Sequence, residues 1–575
     1  MLTNWLARFA LSVAVAGDAC AALRASHSIA DFRRQQWERE HFRVMDDLPP
    51  LEDRYPAQTI SVPIDHFHSE SSYEPHSNGS FNLRYWFDAS YYREGGPVIV
   101  LLGGETSGAD RLPFMQKGIL AKLAEATGGM SVILEHRYYG ESFPVPDLST
   151  ANLRFLTTDQ ALADTAFFAR NVVFKGFEDR NLTTYTTPYF AYGGSYAGAF
   201  AAFLRKLYPE DYWGAISSSG VTLAVVDYWQ YFEAQRLYAP PDCVATTQKL
   251  THVVDNIVMG GKSTSSDQLQ DAFGLSNVTY LPDFVNVLSN GIGGWQGLNW
   301  DPAVSDPGVY LYCSNITSDA LLYPQTERLT SAVRGLLEKG GYGGEVDQLT
   351  RRMLNYIGYV NLTAVAPCAK QERSQDSCFG SRDIDGYKRD DITRKWRSWS
   401  YQVCTQWGYY QTGSGVPRTQ LPLISRLLDV NYFSFSCEHA FNITKLPDVE
   451  AINKHGGLNF SYPRVALIDG EADPWRWAGT HSPEAPERTS TPSEPFILIG
   501  GKAVHHWDEN GLFPNETTAE LPPRTIVDVQ QQEIEIVKEW IKEWHAQRTR
   551  TVISQSGSSS PGWNPKLHQH DTRHL

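Results

Sequence analysis

Three residues of the types that acyl transfer needs occur in the order Ser195, Asp473, His505. Ser195 stands in Gly193-Gly194-Ser195-Tyr196-Ala197-Gly198, after the apolar run Tyr189-Phe-Ala-Tyr192 and before a small-residue helix pattern with Ala199, Ala201 and Ala202. A serine on a strand-to-helix turn projects its hydroxyl at the positive end of the helix. Glycines beside it relieve collisions with the strained turn or a neighbouring strand. The spacing departs from Gly-x-Ser-x-Gly, since Ala197 occupies the place of the second glycine. Taken alone, the stretch also reads as a Gly/Ser-rich connecting turn.

Asp473 lies beyond Val465-Ala-Leu-Ile468, in Asp469-Gly-Glu-Ala-Asp473-Pro474-Trp475. His505 lies beyond Phe496-Ile-Leu-Ile499, in Gly500-Gly-Lys-Ala-Val-His505-His506-Trp507-Asp508. Serine, aspartate and histidine, each after a strand of one sheet, is the order of an α/β-hydrolase triad. The serine needs an imidazole to take its proton. The imidazole returns it to the leaving amine, and the carboxylate fixes the tautomer. The oxyanion would be met by the backbone N–H of Tyr196 and one from the Gly103-Gly104 loop. Asp469 and Glu471 are rival acids, and His506 is the rival base. Singly, Asp473 could open a turn before Pro474, and the histidines could be ordinary surface residues. Glu135-His136-Arg137 reads as a structural polar network near the site. There is no His-Glu-x-x-His, Cys-x-x-Cys or phosphate-cradling loop, so neither a metal nor a cofactor is expected.

The elements that would position these groups alternate between strand and helix. Ile60-Ser-Val-Pro-Ile64 and Phe81-Asn-Leu-Arg-Tyr-Trp-Phe87 alternate like antiparallel edge strands. Val98-Ile-Val-Leu-Leu102 and Ser131-Val-Ile-Leu134 are continuous apolar runs, suited to strands covered on both faces. Helices are expected over 114–127, 157–171 and 526–544. From 221 to 412 the strand runs disappear and helical patterns dominate. This predicts an α/β-hydrolase domain in two parts, 56–220 and 413–547, with a largely helical cap inserted over 221–412.

The 575 residues carry a formal net charge of −15, which argues against nucleic acid as a partner. Residues 1–25 have a basic start, an apolar stretch and small residues, the pattern of a secretory signal peptide. Residues 26–55 read as an N-terminal arm and 548–575 as a disordered tail. No later segment has 18 consecutive apolar residues, so no membrane span is expected. Beyond Cys20 remain Cys243, Cys313, Cys368, Cys378, Cys404 and Cys437, an even set compatible with three disulfides. Proximity suggests Cys368–Cys378 and Cys404–Cys437. Glycosylation sequons stand at Asn78, Asn181, Asn277, Asn315, Asn361, Asn442, Asn459 and Asn515. The chain reads as secreted, with a lysosome or vacuole as the alternative.

Five blocks in order resemble one family: Glu135-His-Arg-Tyr-Tyr-Gly-Glu-Ser142, Leu156-Thr-Thr-Asp-Gln-Ala-Leu-Ala-Asp164, Gly193-Gly-Ser-Tyr-Ala-Gly198, Asp473-Pro-Trp475 and His505-His-Trp-Asp508. They resemble the serine peptidases of the lysosomal Pro-Xaa carboxypeptidase and dipeptidyl peptidase II family, here a member like the fungal secreted carboxypeptidases. The resemblance spans about residues 55 to 545, and Trp399 to Gln411 matches a further block. It implies Ser195 as nucleophile, Asp473 as orienting acid, His505 as base and cleavage next to proline at acidic pH. The alternatives are an esterase or lipase on the same fold, or a non-catalytic secreted binding protein on a hydrolase scaffold. Trp475 is then a wall for a proline-sized pocket. Peptides would be the partners, and a homodimer is left open. Three positions depart from the family pattern: Ala199 where some members have methionine, Gly104 where many have asparagine, and Gln406 in place of a glutamate.

Overall fold

The computed structural model of the protein describes residues 51–261 and 263–556. The expected signal peptide and most of the arm and tail lie outside these residues. Among the described residues ten strands form: β1 (Gln58–Pro63), β2 (Ser80–Asp88), β3 (Val98–Leu102), β4 (Met130–Leu134), β5 (Tyr189–Gly194), β6 (Gly214–Ser218), β7 (Val225–Asp227), β8 (Gly408–Tyr410), β9 (Val465–Gly470) and β10 (Phe496–Ile499). Eight make one sheet in the order β1-β2-β4-β3-β5-β6-β9-β10, and β7 and β8 pair separately. β1–β2 and β2–β4 are antiparallel, and all later pairs in the sheet are parallel. The order puts β5 between β3 and β6, with β9 and β10 beyond them. The carboxyl ends of β5, β9 and β10 therefore share one edge, where open α/β sheets place their sites.

The strand period of two sorts the core. Val98, Val100 and Leu102 face a cluster that includes Leu162, Phe168 and Phe203. They are drawn from helices α2 (Thr158–Asn171) and α3 (Tyr196–Leu207). Ile99 and Leu101 face the other way, onto Ile119 and Leu123 of α1 (Ile119–Thr127) and Val537 and Trp540 of the closing helix. That alternation is why β3 is buried along its whole length.

Residues 114–127, expected as one helix, are split. A 3₁₀ helix over Gly108–Met115 contains Pro113, and α1 begins only at Ile119. The break falls at Gly118, where a Cβ would lie 2.5 Å from the Phe114 ring and 2.7 Å from the Glu509 carbonyl oxygen. The next amide, Ile119 N–H, donates to that same carbonyl (2.9 Å), so the interruption joins α1 to the His505 loop.

Between β6 and β9 the chain adds no strand to the main sheet and is mostly helical. Its helices include α4 (Pro241–Val258), α5 (Val346–Val360) and α6 (Val430–Phe441). Disulfides join Cys243 to Cys313, Cys368 to Cys378 and Cys404 to Cys437. The first spans 70 residues; on a chain-entropy account a loop that long contributes on the order of 4 kcal/mol. The closing helix α7 (Arg524–Ser556) runs beyond the expected 526–544 into the stretch read as a disordered tail. Among the described residues no helix is long and apolar enough to cross a membrane.

Six of the eight sequon asparagines are exposed: Asn78, Asn181, Asn277, Asn442, Asn459 and Asn515. Asn315 and Asn361 sit differently. Asn315 is buried, its amide N–H donating to Leu311 O (2.7 Å) and its oxygen accepting from the Tyr323 hydroxyl (2.5 Å). Asn361 Nδ2 donates to both Phe273 O and Ile357 O (3.1 and 2.8 Å). A sugar on Asn315 would need space that the packed helix end does not give. One on Asn361 would replace a hydrogen already bonded to a carbonyl. Glycopeptide mass spectrometry of the secreted protein should find glycan only at the six exposed positions. Occupancy at Asn315 or Asn361 would show that those helix ends are rearranged.

Candidate active site

β5 delivers the candidate nucleophile. Ser195 has φ 59° and ψ −125°, a conformation that L-residues rarely adopt, at the start of α3. The turn is held because Ser195 N–H donates to Ser218 O (2.9 Å) at the end of β6. Its glycines answer to backbone contacts: a Cβ on Gly193 would sit 2.0 Å from Ala197 O, and one on Gly198 would sit 2.7 Å from Ser218 O. Ala197, where the second glycine was expected, is tolerated; the close approach to β6 is made one residue later, at Gly198.

β9 and β10 deliver the acid and the imidazole. His505 Nδ1 lies 2.8 Å from Asp473 Oδ2, and both side chains are buried. Burial pushes the Asp473 carboxyl up, but the His505 charge and hydrogen bond, a Ser219 hydrogen bond and the Trp475 N–H outweigh it and hold the carboxyl below its usual range. An ionised carboxylate only accepts, so Nδ1 carries the hydrogen and Nε2 lies on the far side of the ring from the acid. The rivals are engaged elsewhere. Asp469 pairs with His481 (2.6 Å), and His506 pairs with Glu509 (3.2 Å). Glu471 accepts from Lys502 N–H (3.2 Å). His506 N–H also donates to Ser219 Oγ (2.9 Å). Ser219 follows the residue that binds the Ser195 amide, so the end of β6 ties the serine, acid and histidine loops together.

The oxyanion candidates meet different fates. Gly103 N–H is given to Leu134 O (2.8 Å), extending the β3–β4 ladder, which leaves Gly104 as the remaining candidate of the pair. Gly104 has φ +69°, and a Cβ there would lie 3.4 Å from Ala197 Cβ, so this loop abuts the serine turn. Tyr196 N–H belongs to the first turn of α3, where amides have no intrahelical partner. The Tyr196 side chain is locked from below. His136 Nδ1–H donates to Arg137 O (2.7 Å), and burial holds that imidazole down to about 4, so Nε2 accepts from the Tyr196 hydroxyl (2.9 Å). The hydroxyl accepts in turn from Gln402 Nε2 (3.0 Å). Glu135 and Arg137 form bidentate pairs with Arg84 and Asp164. The Glu135-His136-Arg137 stretch thus forms a polar network under Tyr196. Gln406, which replaces a family glutamate, accepts from Thr158 N–H (3.1 Å) at the start of α2.

Trp475 is packed into an aromatic box. Tyr228 stacks on it (centroids 5.1 Å apart, planes at 17°), and Tyr231 and Tyr409 meet it edge-on. The segment 292–300 binds both loops through indole N–H groups. Trp295 donates to Ala472 O (2.9 Å) and Trp300 to Trp507 O (2.8 Å). Trp475 donates to Gln296 Oε1 and Trp507 to Leu298 O (2.8 Å each). Sequence reasoning missed this segment, whose only signal was its two tryptophans.

It also missed Asp508, which lies under the loop. Its carboxylate accepts from the hydroxyls of Tyr192 on β5 (2.6 Å) and Ser218 on β6 (2.7 Å), and Gln530 of α7 donates to its carbonyl (2.6 Å). Burial raises Asp508 against those hydrogen bonds. Burial, then the Asp508 charge, raises the neighbouring Glu533 of α7 well above the carboxylate range.

The fold and the arrangement of strands define an α/β-hydrolase. The model of the family "Serine carboxypeptidase S28" matches residues 62–286 and 348–520, and the chain belongs to that family. A "Probable extracellular serine carboxypeptidase" of Arthroderma benhamiae is 53% identical over 85% of this chain and 68% of its own length. "Serine protease vicPa" of Bipolaris victoriae is 27% identical over 82% of this chain and 88% of its own. The human "Thymus-specific serine protease" is 26% identical over 69% and 73%. Among solved structures, a proline iminopeptidase of Mycobacterium smegmatis aligns loosely over 84% of this chain and 99% of its own, at 12% identity and with a TM-score of 0.29.

A carboxyl that burial raises in the fold, as it does Glu533, returns to its ordinary value of 4.5 once the chain unfolds. The folded state then binds more protons, and stability falls as pH rises above that value. The wild-type melting temperature should fall between pH 5 and pH 7.5. Glu533→Gln, which keeps the shape but cannot ionise, should lose distinctly less. Equal losses would place the proton elsewhere.

Proposed function

We propose that the protein is a secreted serine exopeptidase that cleaves next to proline, or another small apolar residue, through an acyl-enzyme on Ser195. The observation that carries this is the buried Asp473–His505 pair, joined through the end of β6 to a serine in nucleophile-elbow geometry. In this reading Ser195 Oγ attacks the scissile carbonyl and passes its proton to His505 Nε2. Asp473 holds the imidazole tautomer and balances the imidazolium. The N–H groups of Tyr196 and Gly104 stabilise the oxyanion. His505 then protonates the leaving amine, and water activated by the same imidazole releases the acyl group.

The helical excursion between β6 and β9 serves as a cap over the site. Trp475, held by Tyr228, Tyr231 and Tyr409, gives a rigid apolar wall suited to a pyrrolidine ring. An extracellular location is supported by the signal-like N-terminus, the disulfides and the name of the fungal relative.

Two experiments test this reading. Ser195→Ala and His505→Ala should each lower kcat by about 10⁴-fold or more, with secretion intact. His506→Ala should stay within about tenfold of wild type, a barrier change of about 1.4 kcal/mol. A His506 effect larger than that of His505 would move the base by one residue. Product analysis at about pH 5 with Xaa-Pro-Xaa peptides, blocked at one end or the other, separates the exo modes. Release of the C-terminal residue alone supports a carboxypeptidase; release of Xaa-Pro alone supports a dipeptidyl peptidase. Fluorophosphonate labelling of Ser195 with neither cleavage would keep the hydrolase and discard the proline preference.

A further inference from the structure

Between β1 and β2 runs the segment Asp65-His66-Phe67-His68, followed by His76. Asp65 is 2% exposed, a buried carboxylate beside two imidazoles. Its Oδ1 is fixed by Phe67 N–H (2.9 Å) and Gln160 Nε2 (2.8 Å), which turns Oδ2 toward His76 Nδ1 at 2.7 Å. The His68 and His76 rings lie with centroids 5.3 Å apart. One donor atom from each of Asp65, His68 and His76 lies within 4.8 Å of the others. His66 takes no part, because it is turned to Asp164 (2.7 Å).

We infer that Asp65, His68 and His76 form a binding site for a borderline divalent transition metal of the zinc class. Two imidazoles and a carboxylate make a donor set that zinc accepts, with water completing the tetrahedron. The carboxylate is already oriented by two donors to its other oxygen, the arrangement that outer partners give to metal ligands. His68 is exposed, so the ion enters from solvent and closes the set by drawing that ring inward. Bound metal would tie the β1–β2 connection to α2, since Gln160, which holds Asp65, lies on that helix. The site is independent of the peptidase reading.

The test uses the full-length protein without a polyhistidine tag, stripped with chelator and dialysed, then titrated with zinc at pH 7.5 by calorimetry. Wild type should take up zinc saturably at this site, and its melting temperature should rise with zinc concentration. His68→Ala, which removes an exposed side chain, should weaken that binding by about tenfold or more. The His68→Ala/His76→Ala double variant should abolish it and the thermal shift together. X-ray absorption of the zinc complex should report two imidazole ligands. Absence of saturable binding, or binding that is equal in wild type and the double variant, would overturn the site. An effect of His76→Ala with none of His68→Ala would overturn the three-residue assignment.

Discussion

The Asp473 carboxylate is the constraint around which the molecule is built. It is fully buried and yet held in its charged form. Removing a carboxylate from water costs several kcal/mol even after relaxation, and only close, well-aimed partners offset it. His505 Nδ1–H takes one oxygen and the Trp475 N–H takes the other. Both donors must hold their places to within hydrogen-bond length, so the loops after β9 and β10 cannot move independently. A side chain of the wrong size at either loop would strand a buried charge, a heavier penalty than imperfect packing.

Those loops are held from two sides. From below, Asp508 binds hydroxyls on β5 and β6, so the histidine loop is bonded to the same two strands that present and brace Ser195. From above, residues 295–300 receive or donate four indole hydrogen bonds to the two loops. Buried donors and acceptors left unmade cost about 1–3 kcal/mol each. A helical excursion bonded this way is not a lid that swings clear of the sheet. Its segment 295–300 is fixed to the two loops, and Trp475 is held with it.

The parts of this site that were legible in the sequence are those governed by local rules. Strand period and apolar runs located β3, β4, β5, β9 and β10, and the glycines around Ser195 marked a turn that allows close backbone approach. Strand order then follows from connection rules, which is why three separated residues could be placed on one edge. Asp508, Gln402 and the 292–300 segment were not legible, because their roles depend on partners far away in the chain. Asp508 meets Tyr192 across 316 residues, and Trp295 meets Ala472 across 177. No periodicity records such pairings. The split at Gly118 was missed for the same reason: the backbone it admits is that of Glu509, from the other end of the chain.

The choice between the two adjacent histidines illustrates how the distant contacts decide what the local pattern leaves open. Both rings are near an acid, and sequence treats them alike. His506 has φ 34°, an unfavourable backbone for a residue with a Cβ, and its N–H is spent on Ser219. Its ring turns to Glu509, whose Oε1 would lie 2.1 Å from a Cβ on Gly194. The backbone twist at 506 therefore sends the two rings to different acids. His505 goes to the carboxylate that other donors keep ionised, and His506 braces the glycine before Ser195. One histidine carries its Nδ1 hydrogen toward Asp473, while its neighbour becomes part of the turn's support.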